Sequence, residues 1–231
     1  MNSTNAIYLC AGNKGGTGKS MVATALIDAF LQRGVEPFVI ETDDANPDVF
    51  KAHSERVQCA AMSLDEADGW IELINTTDKA RGVPVIVNTA ARNSAGVERY
   101  GQTLRSTLGE LGRKLVTLWV INRQRDSLEL LADYLDAMPV GTDHEVHVVR
   151  NLYYGSTDKF QLYSGSELKK QIEGSGGKTL DFPDLADRVA DELATKRLTI
   201  QGAVKEMPLG NRAELLRWRR EAVKTLEQVM S

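Results

Sequence analysis

Short apolar runs alternate with amphipathic stretches along most of the chain. The runs Ala6–Ala11, Pro37–Thr42, Val83–Thr89, Leu115–Asn122 and Val146–Leu152 predict strands, and Lys178–Phe182 is a weaker sixth. Two of them are apolar on both faces: Val85-Ile86-Val87, and Val116 to Ile121 broken only by Thr117. Strands of that kind belong in a parallel sheet covered by helices. The stretches Lys19–Gln32, Leu64–Lys79, Glu98–Leu111, Ser127–Ala137, Leu185–Thr195 and Arg212–Met230 predict those helices. The first stops at Gly34, a residue suited to a helix C-terminus, with Pro37 beyond it. This βαβ rhythm predicts an α/β fold: a single-domain, mainly parallel doubly wound sheet with helices on both faces. Residues 155–177 are rich in Ser and Gly and read as a mobile surface excursion.

A length of 231 residues suits one α/β domain. The expected layout is one domain over residues 1–231, with 197–231 a helical extension packed on it. With 42% hydrophobic and 26% charged residues, the chain is neither disordered nor fibrous. Its net charge of −4 means that any contact with nucleic acid must come from a local patch. Two cysteines, Cys10 and Cys59, form no CxxC motif and favour a reducing compartment. The polar start Met1–Asn5 lacks the regions of a signal peptide, and no apolar run approaches a membrane span. The expected location is cytoplasmic, and a membrane partner is not expected.

The sharpest chemical signal is Gly12-Asn13-Lys14-Gly15-Gly16-Thr17-Gly18-Lys19-Ser20, between the first strand and the first helix. Small residues let backbone N–H groups converge on phosphate oxygens, and the helix N-terminus adds donors and a favourable dipole. Met21, the next residue, continues that row of donors. Lys19 can reach the outer phosphates, and the Ser20 hydroxyl can ligate Mg²⁺. The pattern departs from GxxxxGK[ST], because Asn13 replaces the first glycine and a second lysine, Lys14, enters the loop.

With that loop the chain resembles the deviant Walker A ATPases of the ParA/MinD type, a SIMIBI-like branch of the P-loop NTPases. The resemblance runs over roughly residues 6–195. It implies ATP and Mg²⁺ as ligands, slow ATP hydrolysis, and dimerisation on ATP binding. In that family the extra lysine reaches phosphates bound by the other subunit, which here would be Lys14; the lesser alternative is a solvated loop lysine. After the second strand, Glu41-Thr42-Asp43 matches an acidic-x-Asp pattern. Asp43 then looks like the group that positions the attacking water, or else it belongs to a turn with Asp44, Asn46 and Pro47. Val83–Ala91 occupies the Walker B position, but Asn88 stands where the family usually has Asp. An amide has an acceptor oxygen and no charge, so it would hold metal-bound water weakly.

Asn151 ends a strand whose terminal Asn resembles the adenine reader of the family. Phe182-Pro183-Asp184, with Pro183 at its centre, resembles the loop that closes over the base. The guanine-reading NKxD is absent, since Asn122-Arg123-Gln124-Arg125 has Arg where Asp is needed. His53, His144 and His147 have no metal-site spacing, and Tyr153 and Tyr154 read first as loop packing.

From Lys196 to Lys224 eight basic residues face three acidic ones, a local balance of +5. Leu215, Trp218, Ala222, Leu226 and Val229 recur at helical spacing beside them. This segment reads as a packed terminal helix, as a DNA-backbone or partner surface, or least well as a membrane-surface helix. The resemblance implies an ATP-dependent switch in plasmid partition, stability or conjugative transfer, working with a small DNA-binding adaptor. The Asn88 departure and short tail look like the plasmid stability and mobilisation ATPases of the StbB/TraL type. The alternatives are a non-hydrolysing nucleotide-binding adaptor, and a dethiobiotin-synthetase-like ligase, against which Lys14-Gly15-Gly16 argues.

Overall fold

β-branched and aliphatic side chains fill a seven-stranded sheet in which every strand ladder is parallel. The computed structural model describes residues 5–12, 14–91 and 93–230. The strands are β1 (Ala6–Ala11), β2 (Phe38–Glu41), β3 (Cys59–Ala61), β4 (Val85–Asn88), β5 (Lys114–Ile121), β6 (His144–Asn151) and β7 (Thr179–Phe182). Their spatial order is β3-β2-β4-β1-β5-β6-β7. β1 therefore lies in the interior, with Leu9 opposite Val87 on one side and Thr117 on the other.

Among the described residues ten α-helices lie between or after the strands: α1 (Lys19–Gln32), α2 (Asp48–His53), α3 (Ala67–Lys79), α4 (Ser94–Leu111), α5 (Arg125–Ala137), α6 (Gln161–Ser164), α7 (Glu167–Gly174), α8 (Asp187–Lys196), α9 (Ile200–Glu206) and α10 (Leu209–Leu226). One face of the sheet carries α1, α2 and α8–α10, and the other carries α3–α7. α1 ends as its sequence suggests. Gly34 takes φ 72°, and the Val35 N–H reaches back to the Phe30 carbonyl at 3.0 Å.

Two expectations need correction. Residues 155–177 are not a loose excursion. They hold α6 and α7, and Phe160, Tyr163 and Ile172 are buried in the core. The apolar side chains spaced among the serines and glycines fix the segment. β3 and α2, both absent from the strand and helix expectations, are too short to show a period. The terminal helix starts at Leu209 and ends at Leu226, and α9 precedes it as a separate turn.

α10 lies over α1. Leu215, Trp218, Ala222, Leu226 and Val229 are all buried, so the apolar stripe is a core face. The Trp218 indole N–H donates to the Pro183 carbonyl at 2.9 Å, and its ring meets Phe182 edge-on at 5.7 Å. Arg219 grips Asp28 of α1 with two hydrogen bonds of 2.7 Å. Three of the eight basic residues of the tail are ion-paired within the chain: Lys196 with Glu192, Arg217 with Glu214 and Glu221, and Arg219 with Asp28. The free positive charge there is smaller than the sequence count suggests.

Candidate nucleotide site

The loop between β1 and α1 is shaped by backbone that only glycine tolerates. Gly12 has φ 145°, and a side chain there would meet the Val120 carbonyl oxygen at 2.6 Å. Gly18 has φ 100°, and a side chain there would strike the Asn151 amide at 2.3 Å. Both glycines let the neighbouring strands β5 and β6 press against the loop. Asn13 lies outside the described residues.

Asn151 braces the loop from β6. Its Nδ2 donates to the Thr17 carbonyl at 2.8 Å, and its Oδ1 accepts from the Tyr153 N–H at 3.1 Å. One amide thus ties the loop to the turn after β6. The Tyr154 hydroxyl donates to the Gly16 carbonyl, while Tyr153 stays exposed beside it, the rings edge-to-face at 5.2 Å. Loop packing therefore describes Tyr154 and not Tyr153. Pro183 is buried in the loop after β7, its carbonyl held by Trp218.

Lys19 is buried, and its Nζ donates to the Lys14 carbonyl at 3.1 Å. Burial pulls its pKa down from the ordinary value, while the charges of Asp43 and Glu41 push it up. The two carboxylates at the end of β2 thus act on this ammonium through their charge, without an ion pair to it among the described residues. Met21 follows Ser20 in the first turn of α1, half-buried against the core.

The corner between β2, β4 and α1 holds the most informative contacts. Asn88 Nδ2 donates to the Glu41 carboxylate at 2.9 and 3.2 Å and lies 3.3 Å from Ser20 Oγ. Glu41 is buried, which raises its pKa, though hydrogen bonds from the Asp43 N–H and from Asn88 work against the rise. Asn88 Oδ1 has no partner although it is buried. Asp43 receives the Asn46 N–H at 2.9 Å, so it does close the turn. It still stands beside Glu41, whose Oε1 takes the Asp43 N–H at 3.1 Å.

A family model for the CobQ/CobB/MinD/ParA nucleotide binding domain matches residues 8–149. This chain belongs to that family. The MinD/ParA-type fold extends beyond the matched stretch. A chain of the MinC:MinD cell division protein complex from Aquifex aeolicus superposes with a TM-score of 0.59 at 11% identity, covering 97% of this chain and 96% of that one. A ParA family ATPase from Chlorobium tepidum gives 0.52 at 13% identity, over 95% and 99% of the two chains. In sequence the chain is 55% identical to "Protein MobD" of Acidithiobacillus ferrooxidans over 225 residues, 97% of this chain and 98% of that protein.

In this MinD/ParA-type domain Lys14 does not project freely. Its Nζ is held by Gln124 Oε1 and Asp126 Oδ2 at the start of α5. The bond from Lys14 is the main reason that the Asp126 carboxyl titrates below its usual range. Gln124, Asp126 and Glu41 were not among the site residues expected from sequence. Glu41 carried a signal in its acidic-x-Asp pattern, whereas the other two carried none. Among the described residues no cluster of His, Cys, Asp or Glu could hold a metal ion by itself, and all three histidines are buried.

Proposed function

We propose that this chain is an ATP-dependent molecular switch of the ParA/MinD type, hydrolysing ATP slowly and forming a homodimer around it, in DNA mobilisation or partition. The observation that carries the reading is the convergence at one sheet edge of the phosphate loop, Lys19, Ser20, Glu41 and Asp43. The 55% identity to a protein named MobD supports mobilisation as the setting.

The residues fit MgATP. Backbone N–H groups of residues 13–21, from Asn13 through Gly15, Gly16, Thr17 and Gly18 to Met21, would cradle the phosphates. Lys19 would leave the Lys14 carbonyl for the outer phosphates, since a charged partner outbids a neutral one. The unpartnered Asn88 Oδ1, and the Ser20 hydroxyl once it gives up its 3.3 Å hydrogen bond from Asn88 Nδ2, would be the acceptors for Mg²⁺ and its water. Bound there, Mg²⁺ would neutralise charge on the phosphates. Asp43 would hold the attacking water and take up its proton. Asn151 and Pro183 would border the base. Lys14 would exchange Asp126 for the phosphates of a second subunit. A small DNA-binding adaptor, and DNA itself at the unpaired basic residues of the tail, are the partners this reading implies.

A non-hydrolysing adaptor is the second reading. Asn88 favours it, because its amide is turned toward Glu41 and supplies no charge. Titration calorimetry and phosphate release decide between the two. Lys19→Ala should lose measurable ATP binding, and Asp43→Ala should keep ATP but stall release. Unchanged affinity in Lys19→Ala would end the phosphate-loop assignment. Equal release in Asp43→Ala would leave the adaptor.

A further inference from the structure

One arginine sits where the backbone favours glycine. Arg197, just after α8, has φ 52° and ψ 44°, the only non-glycine residue with positive φ among those described. Its N–H bonds the Ala194 carbonyl at 3.2 Å, and the Leu198 N–H bonds the Leu193 carbonyl at 3.0 Å. This is the Schellman helix ending, whose left-handed position is ordinarily glycine. A side chain there carries a standing cost in backbone strain. Among the described residues no contact of the side chain offsets it. Lys196, Arg217 and Arg219 are ion-paired, but among the described residues the Arg197 guanidinium has no hydrogen bond and no salt bridge.

What the side chain does border is a cleft of about 130 Å³ between α1, α2 and α8, lined also by Met21, Val49, Leu198, Ser20 and Asp48. That volume is about four times the share of one liquid water, room for one aliphatic side chain. Asp48 stands in the first turn of α2, where a carboxylate meets unbonded backbone N–H groups. Arg197 thus sets an unpaired guanidinium beside an apolar wall, with Asp48 in the same cleft and no ion pair between them among the described residues. We propose that this cleft docks a segment of a partner protein that brings an aliphatic side chain next to a carboxylate, the first against Met21, Val49 and Leu198 and the second on Arg197. The occupant would rest on the turn of α1 that carries Ser20, so it would feel changes at the phosphate loop. The inference goes beyond the ATPase reading and does not depend on it.

Two dipeptides test the cleft on the full chain labelled with ¹³C at its methionine methyl groups. The probes are N-acetyl-Leu-Asp-amide and N-acetyl-Leu-Asn-amide, with a short DNA duplex as a third titrant. The Met21 methyl should shift with the Asp probe at up to about 10 mM. The Asn probe should bind about fivefold more weakly, as expected for loss of one exposed ion pair. Arg197→Gly should erase that difference while its melting temperature rises, because glycine relieves the left-handed backbone. The rise shows that the variant is folded. No Met21 shift, equal affinity for the two probes, a difference that survives in Arg197→Gly, or a Met21 shift with DNA alone would each overturn the proposal.

Discussion

Asn88 and Lys14 show how far one side chain can redirect a site. Asn88 fills the Walker B position with an amide, and that amide satisfies the buried Glu41 carboxylate. Asn88→Asp would set two carboxylates face to face out of water. Thermal unfolding should show a loss of about 2 kcal/mol or more without ligand, largely restored by Mg²⁺ with an ATP analogue, and phosphate release should rise above wild type. A variant as stable as wild type without ligand would mean that Glu41 does not need the amide. Lys14 is tied to Asp126 in its own chain. If it crosses to a second subunit, each contact with phosphate is worth about 1.5–3 kcal/mol. Two such contacts per dimer, about 3–6 kcal/mol, make Lys14→Ala at least roughly 100-fold weaker in dimerisation. Asp126→Ala, which frees the lysine, should move sedimentation with an ATP analogue toward dimer. Equal dimer fractions in all three proteins would make Lys14 an ordinary loop lysine. The phosphate loop was legible because its residues are contiguous. The pairs Asn88–Glu41 and Lys14–Asp126 were not, because 47 and 112 residues separate their members.

Secondary-structure elements were legible in proportion to their length. β1, β4, β5 and β6 announce themselves as apolar runs, and α1 is matched to the residue. β3 has three residues and α2 has six, too few to display a period. α6 and α7 were masked by the serines and glycines around them, although Tyr163 and Ile172 carry the burial. α10 was legible as a stripe, but its docking partner was not. That partner is α1, and the tie between them is ionic. Asp28 and Arg219 are mostly buried, at 4% and 17% side-chain exposure. Removing one member of a buried pair leaves an uncompensated charge, which costs roughly 3–5 kcal/mol. Asp28→Ala should lower the unfolding free energy from urea denaturation by that much, whereas the double variant Asp28→Leu/Arg219→Met should recover most of it. A small loss in the single variant would show that water reaches Arg219 and that the helix is held by Trp218 and its apolar neighbours alone.

For the molecule as a whole, pH reports on two buried histidines at the β5–β6 side of the sheet. His144 bonds Thr117 Oγ1 at 3.0 Å, and His147 accepts the Lys178 N–H at 3.0 Å. Burial holds both down to about 4, against an ordinary value of 6.5. Between those values the unfolded chain binds more protons than the folded one. Stability is therefore complete above pH 6.5 and falls as the pH drops toward 4. The slope approaches about 1.4 kcal/mol per pH unit for each histidine. Denaturant unfolding at pH 7 and pH 5 should show the loss, and His144→Asn should flatten it. The parallel sheet has a different consequence, in time. β1 is made among the first residues, yet its sheet neighbours are β4 and β5, and the amide that braces the loop waits at position 151. On a ribosome the phosphate loop is written before these neighbours and shaped only once position 151 has emerged. A phosphate ligand then cannot guide the nascent chain. It can recognise only a chain in which β6 already stands beside the loop, which makes nucleotide capture a report on long-range sheet assembly.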